Sequence, residues 1–125
     1  APDGVTIIPV CYDLIRASCL LEAYPGQVFY GADEYNKRTV AFDVSDEGYL
    51  SSPRIFVEKG EYNIAIDANE NVYVPDGEIY VYNKSGELIG ELTVPERPAC
   101  IILGGKDKKS LYITARSSLY MISIR

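Results

Sequence analysis

Histidine is absent from this 125-residue sequence. That absence removes Ser-His-Asp and Cys-His nucleophilic catalysis and every imidazole metal site at once. Positive charge is scarce as well: 12 Lys and Arg stand against 18 Asp and Glu, for a net charge of −6. No Lys/Arg stripe is available to neutralise a run of phosphates, which argues against a nucleic-acid partner. The densest basic stretch, GGKDKKS at 104–110, reads as a solvated turn. No apolar run approaches the ~20 residues a membrane helix needs, and no charged segment followed by an apolar one opens the chain. The reading is of a soluble protein with no membrane partner and no assigned compartment. The chain begins APDG without an initiator Met, which reads as a processed terminus or an internal cut. Cysteine is sparse: Cys11, Cys19 and Cys100 are odd in number and lack C-x-x-C spacing. Buried free thiols are therefore expected rather than a disulfide framework.

What the chain does have is strand-forming material. Eleven tyrosines accompany many Val and Ile in a composition that is 47% hydrophobic and 24% charged, enough for one modest core. The stretch GEIYVYNKSGELIGELTV, Gly77 to Val94, reads as two strands around the turn NKSG. Related pairs occur at VFYGADEYNKRTVAFDV and LYITARSSLYMISI. Tyr30, Tyr73 and Tyr112 stand 43 and 39 apart, and Phe42, Tyr82 and Ile122 stand 40 and 40 apart. Each unit is preceded by an apolar segment, CLLEA, NIAID or ACIIL, and the first two are followed by SPRIFVE and LIGELTV. Residues 11–23 have a helical period, but the repeat places CLLEA where the other two inner strands fall.

Four short strands every forty residues is the pattern of a β-propeller blade. The fold expected is all-β, a β-propeller fragment of about three four-stranded blades, half of a six-bladed propeller. Residues 1–12 would be an outer strand of a preceding blade, 17–58 and 62–94 two blades, and 98–125 a blade lacking its outer strand. Both end blades would then present bare apolar faces, which repeat arrays normally cap. Two partners are expected to close a six-bladed ring: an N-terminal half of the propeller, or a second copy in a homodimer.

The segments YGADEYNKRTVAFDVSDEGYLSSPRIFVE and GEIYVYNKSGELIGELTVPERPACIILGGKDKKSLYITARSSLYMISI resemble the C-terminal half of the gluconolactonase/regucalcin (senescence marker protein) family. Val94 to Ile124 carries the most specific part of the likeness. The resemblance implies a six-bladed propeller that hydrolyses sugar lactones with one divalent metal (Ca, Zn or Mn) in its central channel. A hard dication on oxygen ligands polarises the lactone carbonyl. The implied ligands are an N-terminal Glu, an Asn in an N-G pair and an Asp in P-D-G. The N-G position falls on Ser18-Cys19 and the P-D-G position on Tyr62, with Asn63 beside it. None of Ser18, Tyr62 and Asn63 is anionic, so the resemblance implies a degenerate metal site.

Other polar groups have competing readings. Asp33 and Glu34, in GADEYN, are candidate substrate-binding carboxylates at a channel mouth, or part of a solvated turn. Asp67, Asn69, Asn71 and Glu78 take positions 1, 3, 5 and 12 of a calcium loop, but Val72 stands where that loop needs Gly, so a polar turn is the better reading. The tyrosines Tyr73, Tyr80, Tyr82, Tyr112 and Tyr120 read as packing between blades rather than a carbohydrate platform. Three functional classes remain: a gluconolactonase-type lactonase half, a non-catalytic module binding a small polar ligand, and an association module.

Overall fold

A computed structural model describes residues 17–19 in backbone, 26–105 and 109–124. The described residues form three antiparallel sheets and no helix, so none contains a helix long and apolar enough to cross a membrane. The first sheet is β1 (Ala17–Cys19), β2 (Val28–Asp33), β3 (Arg38–Val44) and β4 (Leu50–Val57), in that order. The second repeats it with β5 (Ala65–Ile66), β6 (Val72–Asp76), β7 (Glu78–Tyr82) and β8 (Leu88–Leu92). The third has β9 (Cys100–Gly104), β10 (Ser110–Ala115) and β11 (Ser118–Ser123). The expected strand at residues 1–12 lies outside the described residues, as do 20–23 of CLLEA; the inner strand that is described begins earlier, at Ala17.

Sequential pairing within each sheet follows from the turns. In 45–49, 67–71 and 83–87 the first residue's carbonyl accepts from the fourth residue's N–H, and its own N–H donates to the fifth residue's carbonyl. The side chain of the first residue, Ser45, Asp67 or Asn83, accepts from the fifth residue's N–H at 2.9–3.0 Å. The fourth residue has positive φ: Gly48 at 87°, Glu70 at 65° and Gly86 at 86°. Turns closed by their own Asx or Ser side chain hold a two-strand register without help from the core. The calcium-loop residues are one of these turns: Asp67 spends both oxygens on Asn69, Asn71 and Tyr73.

Alternation along the strands separates two faces. Tyr30 pairs with Ala41, Tyr73 with Val81 and Tyr112 with Met121, so the three repeat-related tyrosines occupy one register position. Tyr30, Ala32 and Ala41 of the first sheet pack on Ile64, Val72, Val74 and Tyr82 of the second. Ala65, Tyr73, Ile79 and Val81 of the second pack on Val94, Ile101, Leu111 and Ile113 of the third. Each aliphatic side chain so buried contributes roughly 1.5–3 kcal/mol. The innermost strands β5 and β9 lie against each other, as strands around a propeller axis do. Tyr73, Tyr80, Tyr82 and Tyr120 all join these inter-sheet clusters.

Two expectations need correction. The end faces are not both bare: Phe29, Val40, Phe42 and Val44, on the far face of the first sheet, are buried. Nor is Cys100 a buried thiol. It is exposed because it alternates with buried Ile101 and falls on the other, open face of β9.

Candidate functional site

Antiparallel order puts every link of one kind on one side of the sheets. The β2–β3 turn (34–37), the β4–β5 connector (58–64), the β6–β7 turn at Gly77, the β8–β9 connector (93–99) and the β10–β11 turn (116–117) all share a face. The connectors deliver the chain to the inner strands β5 and β9, so this face forms a rim at the ends of the inner strands.

Glu61 is the centre of that rim. Its carboxylate is almost completely buried, 3% exposed, and receives Lys37 from the first sheet's turn and Arg97 from the second connector. Its other oxygen accepts the Gly77 N–H at 3.3 Å. One side chain thus ties together the turns of the first two sheets and the connector that leads to the third. Burial works against ionisation of Glu61, but the hydrogen bonds and charges of Lys37 and Arg97 outweigh it and hold the carboxyl below the ordinary glutamate value. The connector reaches this position because Gly60 lies against β3. A Cβ there would come within 2.8 Å of both the Arg38 carbonyl and the Thr39 hydroxyl. The Gly60 N–H donates to Asp76 at 3.2 Å and the Thr39 hydroxyl to the Lys59 carbonyl at 2.7 Å.

A folded-state carboxyl pKa below its unfolded value adds stability above the unfolded value and loses it as pH falls through the folded one. Urea midpoints should therefore drop as pH is lowered from roughly 4.3 downward. Glu61→Gln should lower the midpoint at pH 7 and make the acid dependence shallower. Equal slopes for the two proteins would show that Glu61 is not linked to folding.

Two further rim carboxylates, Asp33 and Glu96, are engaged, whereas Glu78 Oε2, at the β6–β7 turn, is buried with no hydrogen-bond partner. Asp33 is completely buried and accepts from Asn36 Nδ2 at 2.9 Å and Arg38 Nε at 3.2 Å, which sets the β2–β3 turn. Glu34 follows it, half-buried on that turn. Glu96 accepts from the Ser118 and Tyr120 hydroxyls at 2.7 and 3.0 Å, and these bonds hold its pKa below the usual range.

Of the positions singled out for metal, Ser18 lies in β1 and Tyr62 and Asn63 on the β4–β5 connector. In β1, Ala17 pairs with Asp33 and Cys19 with Ala32, leaving Ser18 as the extra residue of a bulge. Tyr62 is 36% exposed at the rim. Asn63 spends its carboxamide on β9: Oδ1 accepts the Ile101 N–H at 2.8 Å and Nδ2 donates to the Ile101 carbonyl at 2.5 Å. It acts as a one-residue strand on the free edge of β9. Among the described residues no three His, Cys, Asp or Glu side chains converge as a metal site. Sequence reasoning stopped one residue short of Glu61 and passed over Arg97; the Gly-Glu before Tyr62 and the Pro-bracketed Arg97 were the available signals.

The model of the SMP-30/gluconolactonase/LRE-like region matches residues 24–117, three-quarters of the chain. The chain belongs to the SMP-30/gluconolactonase/LRE-like family. A gluconolactonase from Xanthomonas campestris superposes with a TM-score of 0.80 at 23% identity, over 99% of this chain and 42% of its own. Regucalcin from Agrobacterium tumefaciens, a calcium-binding protein, gives 0.69 at 19%, over 82% and 38%. A luciferin-regenerating enzyme gives 0.67 at 16%, over 82% and 38%. At these identities the likeness carries the fold: three sheets of a family propeller. The chain spans about two fifths of the length of these SMP-30/gluconolactonase-like structures.

Proposed function

We propose that this chain serves a gluconolactonase-type sugar-lactone hydrolase as a metal-free wall of its channel, holding a small neutral polyhydroxylated ligand without hydrolysing it unaided. The supporting observation is the state of the rim's oxygen donors. Glu61 is committed to Lys37 and Arg97, Asp33 to Arg38 and Asn36, Asp76 to the Gly60 N–H, and Asn63 to Ile101. A hard dication needs several oxygens, with carboxylate charge among them, to offset its dehydration. Recruiting Glu61 or Asp33 would break buried ion pairs, and Glu78, whose Oε2 has no hydrogen-bond partner, is a single carboxylate, so the donor set falls short of what a divalent metal needs. Half-exposed Lys37 and Arg97 and the Tyr62 hydroxyl offer hydrogen bonds at the rim. Such an array suits ring hydroxyls and a lactone carbonyl, which bring no charge of their own.

Calorimetric titration of the chain with Ca²⁺, Zn²⁺ and Mn²⁺ should give no affinity tighter than ~1 mM, the weak end of protein calcium sites. Sugar-lactone hydrolysis should stay at the spontaneous rate with each metal added. A stable sugar lactam should shift NMR resonances at Tyr62 and Asn63. Metal-dependent turnover abolished by Asn63→Ala would overturn the metal-free reading, and an unperturbed rim would overturn ligand binding.

A further inference from the structure

The third sheet leaves one face open. Ile102, Tyr112 and Met121 lie abreast across β9, β10 and β11, with Cys100, Thr114 and Leu119 abreast in the next row. Ile102 is 63% exposed, Met121 58% and Leu119 69%. In the second sheet the positions of Ile102, Tyr112, Met121 and Leu119 are held by Ala65, Tyr73, Val81 and Ile79, all buried against the third sheet. Tyr30 and Ala41 hold the same register in the first sheet and are buried against the second. The cover is a neighbouring sheet in both cases, and an open row in the same register fits a cover of the same kind.

The two interfaces within the chain also state how large the covering side chains can be. At the first, Ala41 shares a cluster with Tyr82 of the covering sheet. At the second, Val81 takes the place of Ala41, and Ile122 takes the place of Tyr82. The covered side chain grows while the covering one shrinks, as close packing between sheets at a fixed separation requires. Met121 continues the growth on the covered side, and Ile102 stands where the second sheet has only Ala65. A cover that packs on them carries a side chain smaller than isoleucine at the position of Tyr82 and Ile122. The first sheet of a second copy does not qualify, because it has Phe42 at that position, already buried. Set against its own copy, the open face would meet Ile102 and Met121 again, large against large, and would shut out any further sheet. The related propeller structures have that room: this chain spans about two fifths of their length.

We infer that the Ile102–Tyr112–Met121 face is the docking surface for a further sheet of the same propeller, carried on sequence outside these 125 residues, with a valine or smaller residue opposite Met121. The contact covers an apolar row that would otherwise stand in water. It also places Cys100 at an interface rather than in solvent.

The test compares the 125-residue chain with the intact gene product purified from its source. The gene product should have a mass well above 13.9 kDa. Alkylation of Cys100, read by peptide mapping, should be about tenfold or more slower in the gene product than in the chain, because the sheets must part before it reacts. That protection should not depend on protein concentration. Met121→Asp should leave the Tm of the 125-residue chain unchanged and lower that of the gene product by on the order of 5 °C, since the charge is buried only there. A short cross-linker attached at Cys100 should then join it to the covering segment, whose sequence shows the size of the residue opposite Met121. A gene product of 13.9 kDa would overturn the inference. Equal Cys100 reactivity in the two proteins would overturn it too, as would a gene product indifferent to Met121→Asp. Protection that grows with concentration, or cross-links only between identical segments, would give the face to a second copy. A covering segment with isoleucine or a larger residue opposite Met121 would overturn the size rule.

Discussion

Leu111→Ala should destabilise the chain by roughly 2–5 kcal/mol, the range for removing a fully buried leucine and leaving a cavity. Leu111 sits mid-sheet in β10, with Leu103 of β9 and Ile122 of β11 as its lateral partners. It is completely buried among Ile79, Val81, Ile101 and Ile113, where the second and third sheets meet. The cost should fall in the upper part of the range because the site has little freedom to collapse. Both neighbouring strands are held in register, and Asn63 pins β9 to the connector before β5. For a chain of this size the loss corresponds to a drop in Tm on the order of 10 °C. Leu88→Ala, at a residue 56% exposed on β8, should change stability by less than about 0.5 kcal/mol. Thermal melts and urea titrations of the two variants give the comparison, and similar costs would mean that the inter-sheet cluster does not carry the fold.

The same contrast explains what could be read from the chain alone. The blades were legible because register is local. Tyr30, Tyr73 and Tyr112 recur at nearly one period, and the turns at 45–49, 67–71 and 83–87 close on their own side chains. The family was legible for the same reason, since its signature residues are strand and turn residues in fixed order. The rim was not. Glu61 finds Lys37 24 residues upstream and Arg97 36 residues downstream, and nothing in either segment announces the other. Asn63 was singled out through the resemblance as a neighbour of an implied metal position. Its use is decided by Ile101, 38 residues away, whose backbone edge is visible only once β9 is placed. Cys100 was misjudged because a residue-type preference for burial says nothing about which face of a strand lacks a neighbour.

Asn63→Asp should cost about 3 kcal/mol at neutral pH, the upper end for a buried acceptor that loses its donor. The change is nearly isosteric, so the effect isolates chemistry from packing. Oδ1 would still accept the Ile101 N–H, but the second oxygen would face the Ile101 carbonyl where Nδ2 donates now. Two acceptors at hydrogen-bond distance repel, and an ionised carboxylate repels more strongly. The protonated acid can donate as the amide does, so folding should raise the pKa of this carboxyl. The penalty is then absent at low pH, grows as pH rises from the unfolded value of about 3.9, and levels off above the folded one. Its sign is opposite to that of Glu61, so the variant should lose less stability on acidification than the parent. Asn63→Asp also puts an acid beside Tyr62, on which the family's aspartate position falls, which makes the variant a test of function as well as of stability. If the remaining rim donors cannot complete a cation site, millimolar Ca²⁺ should leave its melting temperature unchanged. A Ca²⁺-dependent rise in Tm, specific to the variant, would show that one substitution is all that separates this rim from a metal site and would defeat the account in which Glu61 and Asp33 stay in their ion pairs and Glu78 alone is too little for a cation.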